Sequence, residues 1–89
     1  MTTFQIATDV LATELGSECV ILNLADGVYY GLDDVGAEIW KQLSSPVSVF
    51  DICRHVADVY EVDPDQCNSD VVSLLDSLQS RGLIIARES

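Results

Sequence analysis

GVYYGLDDVGAEIW, residues 27–40, decides the fold because its pattern changes period midway, from a short aromatic strand to the start of a helix. In period 2, Val28, Tyr30 and Leu32 share one face of the strand and Tyr29 and Gly31 share the other. The first face is expected to meet the helices, and Tyr29 to stand on a half-solvated side of an antiparallel sheet. Asp33 or Asp34 is placed to cap the helix, because a short carboxylate there accepts from a free N–H of the first turn and suits the positive helix end. Val35, Ile39, Trp40 and Leu43 then form the apolar stripe of that helix.

Upstream, Asp26 and Gly27 form a turn dipeptide that joins this strand to CVILNL at 19–24, and Gly16 and Ser17 join that strand to Val10–Leu15. The first third therefore reads as a three-stranded antiparallel meander. Val20, Leu22 and Leu24 share a face of the middle strand, and that face is expected to meet the helices. Downstream, Ser44, Ser45 and Pro46 stop the first helix, and Ser48 with Asp51 resembles a capping box that opens a second. Val49, Ile52, Cys53, Val56 and Tyr60 form its stripe. Asp63, Pro64 and Gln66 start a third helix, whose apolar face is Cys67, Val71, Leu74, Leu75 and Leu78, and Arg81 with Gly82 suits its end. A final LII at 83–85 is either a short strand or a plug against the core. The predicted architecture is α+β and winged helix-turn-helix-like, a three-stranded antiparallel sheet followed by three helices, in a single domain over residues 1–89.

Composition narrows the function. Of 89 residues, 48% are apolar and 21% charged, which is globular rather than disordered. Fifteen acids against four bases leave a net charge of −11, and such a polyanion repels nucleic acid and anionic lipid. Three cysteines without CxxC spacing suit neither a disulfide framework nor a zinc cluster, so they read as reduced and the protein as cytoplasmic. The N-terminus lacks the basic flank and apolar run of a signal peptide, and no stretch has the ~20 apolar residues of a membrane span.

Catalytic equipment is sparse. His55 has no cysteine, serine or carboxylate at a motif spacing, and Cys19, Cys53 and Cys67 lie in apolar periods where a thiolate is costly. Asp58, Glu61, Asp63 and Asp65 lack the glycine and terminal glutamate of a calcium loop, and Gly27, Gly31 and Gly36 do not make a phosphate loop. Neither a metal nor a cofactor is called for, and no enzyme is predicted. A helix-turn-helix would read DNA with residues 64–81, but Asp65, Asp70 and Asp76 against Arg81 give that helix the wrong sign.

What remains is binding. If the strand VYYGL ends the sheet, its free backbone groups form an edge without Lys, Pro or a bulge. Two readings stay open: an extended peptide adds to this edge and its side chains enter the groove toward the third helix, or helix packing and the terminal LII cover it. In the first reading the groove offers Val28 and Tyr30 from the strand, and Cys67, Asp70, Val71 and Leu74 from the helix. Asp70 is placed to accept a tyrosine hydroxyl or pair with a basic side chain.

VYYGLDDVGAEIWKQL and PVSVFDICRHVADVYEVDPDQCNSDVVSLLDSLQSRGLI together resemble the PqqD-like family, the recognition elements that bind leader regions of ribosomally made, modified peptides. The likeness rests on the Tyr-Tyr-x-Leu strand end, Gly36, the Ile39-Trp40 pair, the Asp63-Pro64 helix start and Arg81-Gly82-Leu83, and spans about residues 9–85. It implies that a precursor's leader binds as an added strand, with contacts at Val28, Tyr29, Tyr30, Gly31, Cys67, Asp70, Val71 and Leu74. It further implies a non-catalytic adaptor that presents a lasso-peptide precursor to a separate cysteine peptidase or another maturation enzyme. The pyrroloquinoline quinone peptide chaperone is the alternative pathway, and a winged-helix DNA-binding regulator the less favoured one. An open edge also permits a weak homodimer beside the monomer.

Overall fold

The computed structural model describes residues 1–88, so Ser89, the last residue of the predicted domain, lies outside the described residues. Its elements run β1 (Thr2–Ile6), β2 (Val10–Leu15), β3 (Glu18–Asn23), β4 (Val28–Leu32), α1 (Asp34–Gln42), α2 (Val49–Val59), α3 (Pro64–Ser80) and β5 (Ile84–Glu88). β2, β3 and β4 form the antiparallel meander in that order, with Ile21 opposite Tyr30 and Cys19 opposite Leu32. The three helices follow β4.

Two strands lie outside the predicted three-stranded sheet. β1, from an N-terminal segment that reads only as unlike a signal peptide, pairs antiparallel with β5 in a separate two-stranded sheet. The other side of β1 is tied to the α1–α2 connection, where Phe4 N–H donates to the Val47 carbonyl at 2.8 Å and Val47 N–H donates back at 3.0 Å. The terminal LII takes both predicted roles: Leu83 and Ile84 plug the core and Ile84 opens β5. Because β5 pairs with β1, it does not add to the outer edge of β4.

The face assigned to the middle strand is also corrected. Cys19, Ile21 and Asn23 point into the core, while Val20 and Leu22 point outward and Leu24 lies exposed beyond the strand. CVILNL is apolar at both parities, so period 2 alone cannot choose its phase, and polar Asn23 disguises the inward one. Asn23 is tolerated there because its hydrogen bonds are met: Nδ2 donates to the Arg81 carbonyl at 3.0 Å and Oδ1 accepts from Ala25 N–H at 3.0 Å. The side chain thus clamps the β3–β4 turn to the end of α3. For β4 the predicted phase stands, with Leu32 buried and Tyr30 half-buried.

Helix boundaries follow local chemistry. Asp33 caps α1 through Gly36 N–H at 2.8 Å, Ser48 caps α2 through Asp51 N–H at 3.2 Å, and Asp63 caps α3 through Asp65 N–H at 2.9 Å with Pro64 at the first helical position. α3 ends in a left-handed Gly82 (φ 75°), with Gly82 N–H donating to the Gln79 carbonyl and Leu83 N–H to the Leu78 carbonyl, so the chain turns directly into β5. Ile21, Leu43, Ile52, Leu75 and Leu78 form the centre of the core. Truncating any of them to alanine costs roughly 2–5 kcal/mol.

Candidate functional site

β4 is the last strand of its sheet, and among the described residues no strand pairs with its outer edge. Val28, Tyr29 and Gly31 are exposed along it. The strand runs straight into the α1 cap, and α3 stands across from it.

Between them lies a groove of about 620 Å³ lined by Tyr30, Gly31, Leu32, Asp33, Val35, Gly36, Ile39, Asp70 and Leu74. At the Val35, Ile39 and Asp70 end it continues into an apolar recess of about 290 Å³, floored by Val56, Cys67 and Val71 and flanked by Val62 and Gln66. At the Tyr30 end it meets a smaller hollow of about 150 Å³ walled by Val28, Asp26, Asn23, Arg81 and Leu83. The groove and the recess share Val35, Ile39 and Asp70, and Tyr30 separates the groove from the smaller hollow, so the three lie in a row as a compartmented channel along β4 and α3.

Carboxylates line all three compartments, and Arg81 is the one basic residue among their lining. Asp33 and Asp70 face the middle: one Asp33 oxygen holds Gly36 N–H, and Asp70 Oδ1 accepts from Gln66 Nε2 at 2.9 Å. At the other end the Arg81 guanidinium lies 4.7 Å from the Tyr30 ring centroid, a cation–π contact that fixes the ring as the wall between two compartments. An extended chain here would meet the carboxylates of Asp33 and Asp70 in the central groove, and Arg81 together with Asp26 at the Tyr30 end.

The predicted residues divide as follows. Tyr30, Gly31, Asp70 and Leu74 line the central groove, and Val28 lines the Arg81 hollow. Cys67 and Val71 are only 5% and 1% exposed and form the recess floor, where they serve the core as much as any ligand. Tyr29 stands apart: it is 68% exposed on the sheet face away from the helices and lines none of the three compartments. Sequence reasoning left out Asp33, Val35, Gly36, Ile39 and Arg81 as lining residues. Asp33, Val35, Ile39 and Arg81 carry a structural signal, as cap, helix stripe or helix end, that conceals a second use, while Gly36 stands out in the sequence only in the family likeness.

On its other side α3 packs against α2 and leaves a mostly apolar hollow of about 400 Å³ beside Phe50, Cys53, Arg54 and Cys67. Both walls are helices, so the hollow offers no strand edge for an extended chain to pair with. Burial, and then the neighbouring Cys67, push the Cys53 thiol up to about 11, far from a thiolate nucleophile at neutral pH. Burial also raises the Cys19 thiol, with Glu14 adding to it. His55 Nε2 lies 2.8 Å from Glu38 Oε1 and ties α2 to α1; this hydrogen bond, with Lys41 nearby, holds the Glu38 carboxyl below its usual range. Among the described residues no group of three or more His, Cys, Asp or Glu is placed to hold a metal ion, and no helix is long and apolar enough to cross a membrane.

These features define a class: a small α+β module with antiparallel sheets and three helices, whose channel is bordered by an open strand edge. The family model for coenzyme PQQ synthesis protein D (PqqD) matches residues 18–84, and the chain belongs to that family. Two solved structures share its fold. One is described as "TbiB1 in Complex with the TbiA(beta) Leader Peptide", with a TM-score of 0.84 and 30% identity over 90% of this chain and 93% of that one. The other is described as "Lasso peptide synthetase B1 complexed with the leader peptide", with a TM-score of 0.81 and 24% identity over 92% of this chain and 96% of that one. No curated protein matches this sequence.

Proposed function

We propose that this protein binds the leader region of a ribosomally made precursor peptide by adding it as a strand to β4, with α3 as the opposite wall of the channel. The single observation that carries the reading is the coincidence of a strand edge that is uncharged, and unpaired among the described residues, with a groove beside it in a family member similar to two leader-bound proteins. Backbone pairing would supply affinity, and the recesses beside Tyr30, Asp70 and Leu74 would supply choice of sequence. Val28, Tyr29, Tyr30, Gly31, Cys67, Asp70, Val71 and Leu74 are the proposed contact set, with Tyr29 acting through its backbone and its outward ring.

In this reading residues 1–89 act as one cytoplasmic recognition domain, non-catalytic, that presents the bound precursor to a separate cysteine peptidase of a lasso-peptide pathway. The α2–α3 pair with the meander as wing is a winged-helix scaffold turned from DNA to peptide, which agrees with the acidic exposed side of α3. The family description supports a second pathway, peptide handling in coenzyme PQQ synthesis, with the same channel used in the same way. Titrating the fluorescein-labelled leader of the precursor encoded beside this gene tests the proposal. A micromolar or tighter Kd is expected, and no binding by any neighbouring precursor would sink it.

A further inference from the structure

On the side of α3 away from the channel, the hollow between α2 and α3 has a volume of about 400 Å³ and mostly apolar walls, which is within the range that small-molecule sites occupy. Phe50, 66% exposed, stands at the start of α2, Ala57 about two turns further on, and Pro64 at the start of α3. Cys53 and Cys67 bring two sulfurs to the lining, and Cys67 is its one buried residue.

Arg54 is the only charged residue of that lining. Asp51 and Asp58 lie three residues before it and four after, the helical spacings at which ion pairs form. Among the described residues Arg54 nonetheless makes no ion pair; its guanidinium lies 5.9 Å from the Phe50 ring centroid instead. Lys41, by contrast, is held between Glu14 and Glu38. In a chain of net charge −11, a cation left without a carboxylate at an apolar hollow is a place for an anion brought from outside.

The surrounding charge decides the size of that anion. Asp51, Asp58 and Asp65 are exposed around the hollow, so a broad partner surface laid over it would have to be basic, and would then set its charge against Arg54. A small molecule with one anionic group escapes this conflict, because it meets Arg54 alone and keeps its body between the helices.

We propose that the α2–α3 hollow is a binding site for a small aromatic acid, its ring seated among Phe50, Pro64 and the two cysteine sulfurs and its carboxylate on the Arg54 guanidinium. An aromatic body suits these walls, since rings gain from edge and offset contacts with other rings and from contacts with sulfur. The guanidinium can serve both partners at once: its face rests on Phe50 while its N–H edge donates to the carboxylate. The site is separate from the channel, which lies across α3.

The test is a titration of the ¹⁵N-labelled full chain with naphthaleneacetate, and with naphthylethanol as its neutral counterpart. The acid should shift the amides of Phe50, Arg54, Ala57 and Asn68 saturably with a Kd below about 1 mM, and the alcohol should bind there at least fivefold more weakly. Arg54→Gln should erase that difference by weakening the acid and leaving the alcohol unchanged. Ala57→Phe, at an exposed position, should fill the hollow and abolish both shifts; where that variant fails to fold, Asn68→Trp does the same from the opposite wall. The inference is overturned if no saturable shift appears beside Phe50, if the shifts centre on the channel or on the outer face of the meander, or if the acid binds no better than the alcohol or binds Arg54→Gln as well as the parent.

Discussion

β4 and β5 each end a sheet, and each leaves a row of backbone groups without a strand partner among the described residues. β5, with sequence IIARE, carries Arg87 and Glu88 at its exposed end, and the Thr2 hydroxyl engages the Glu88 carboxylate across the ladder. β2, the other end of the meander, carries Glu14, 3.8 Å from Lys41. β4, with sequence VYYGL, carries no charge at all in a chain of net charge −11. Charges on an edge discourage pairing with a stray strand, so two edges are guarded and one is left open. The open one is the edge that borders the channel.

Four changes break or sharpen that contrast. Tyr30→Ala removes the wall shared by two compartments and the platform under Arg81; leader affinity should fall tenfold or more, about 1.4 kcal/mol per tenfold, while the thermal melt stays cooperative. Val28→Lys puts a guard on β4 and should weaken binding several-fold. Its mirror image, Arg87→Thr with Glu88→Thr, removes the guard from β5. That double variant should keep leader affinity but show concentration-dependent association in sedimentation velocity. Asp70→Asn should weaken a leader that carries a basic residue beside the central groove by about 0.2–1 kcal/mol, and flatten the salt dependence of its Kd.

The smallest effect lies on the far side of α3. The Cys53 thiol is raised in the fold from 9.0 to about 11, so the folded state holds its proton more tightly than the unfolded state. The stabilisation from this group is complete below about pH 9 and declines as pH rises through the folded value. Urea melts under reducing conditions should show a loss between pH 9 and 11 that Cys53→Ala removes, with leader binding at neutral pH unaffected. A change in leader affinity would instead implicate the α2–α3 hollow.

Much of this was legible in the sequence, for reasons that differ by element. Asp63-Pro64 and Arg81-Gly82 bracket α3 with local capping chemistry, which needs no tertiary knowledge. The order of the meander followed from turn dipeptides and chain order, whereas whether its last strand was open or covered stayed undecided until β5 was seen to pair with β1. The β3 phase was not legible, because CVILNL is apolar at both parities and the inward polar residue, Asn23, is satisfied by an Arg81 carbonyl 58 positions away. β1 was missed because its pairing with β5 joins the two ends of the chain. In the channel, Tyr30, Asp70 and Leu74 could be placed by periodicity, while Asp33 and Ile39 were hidden behind duties as cap and core residue.

The most direct measurement is amide hydrogen exchange, followed residue by residue with ¹⁵N-labelled protein, with and without the leader of the neighbouring precursor. Strand addition predicts that amides of β4 gain protection when the leader is present while those of β5 and of the α2–α3 hollow exchange as before. Protection that appears along β5 or beside Phe50, with β4 unchanged, would contradict the account.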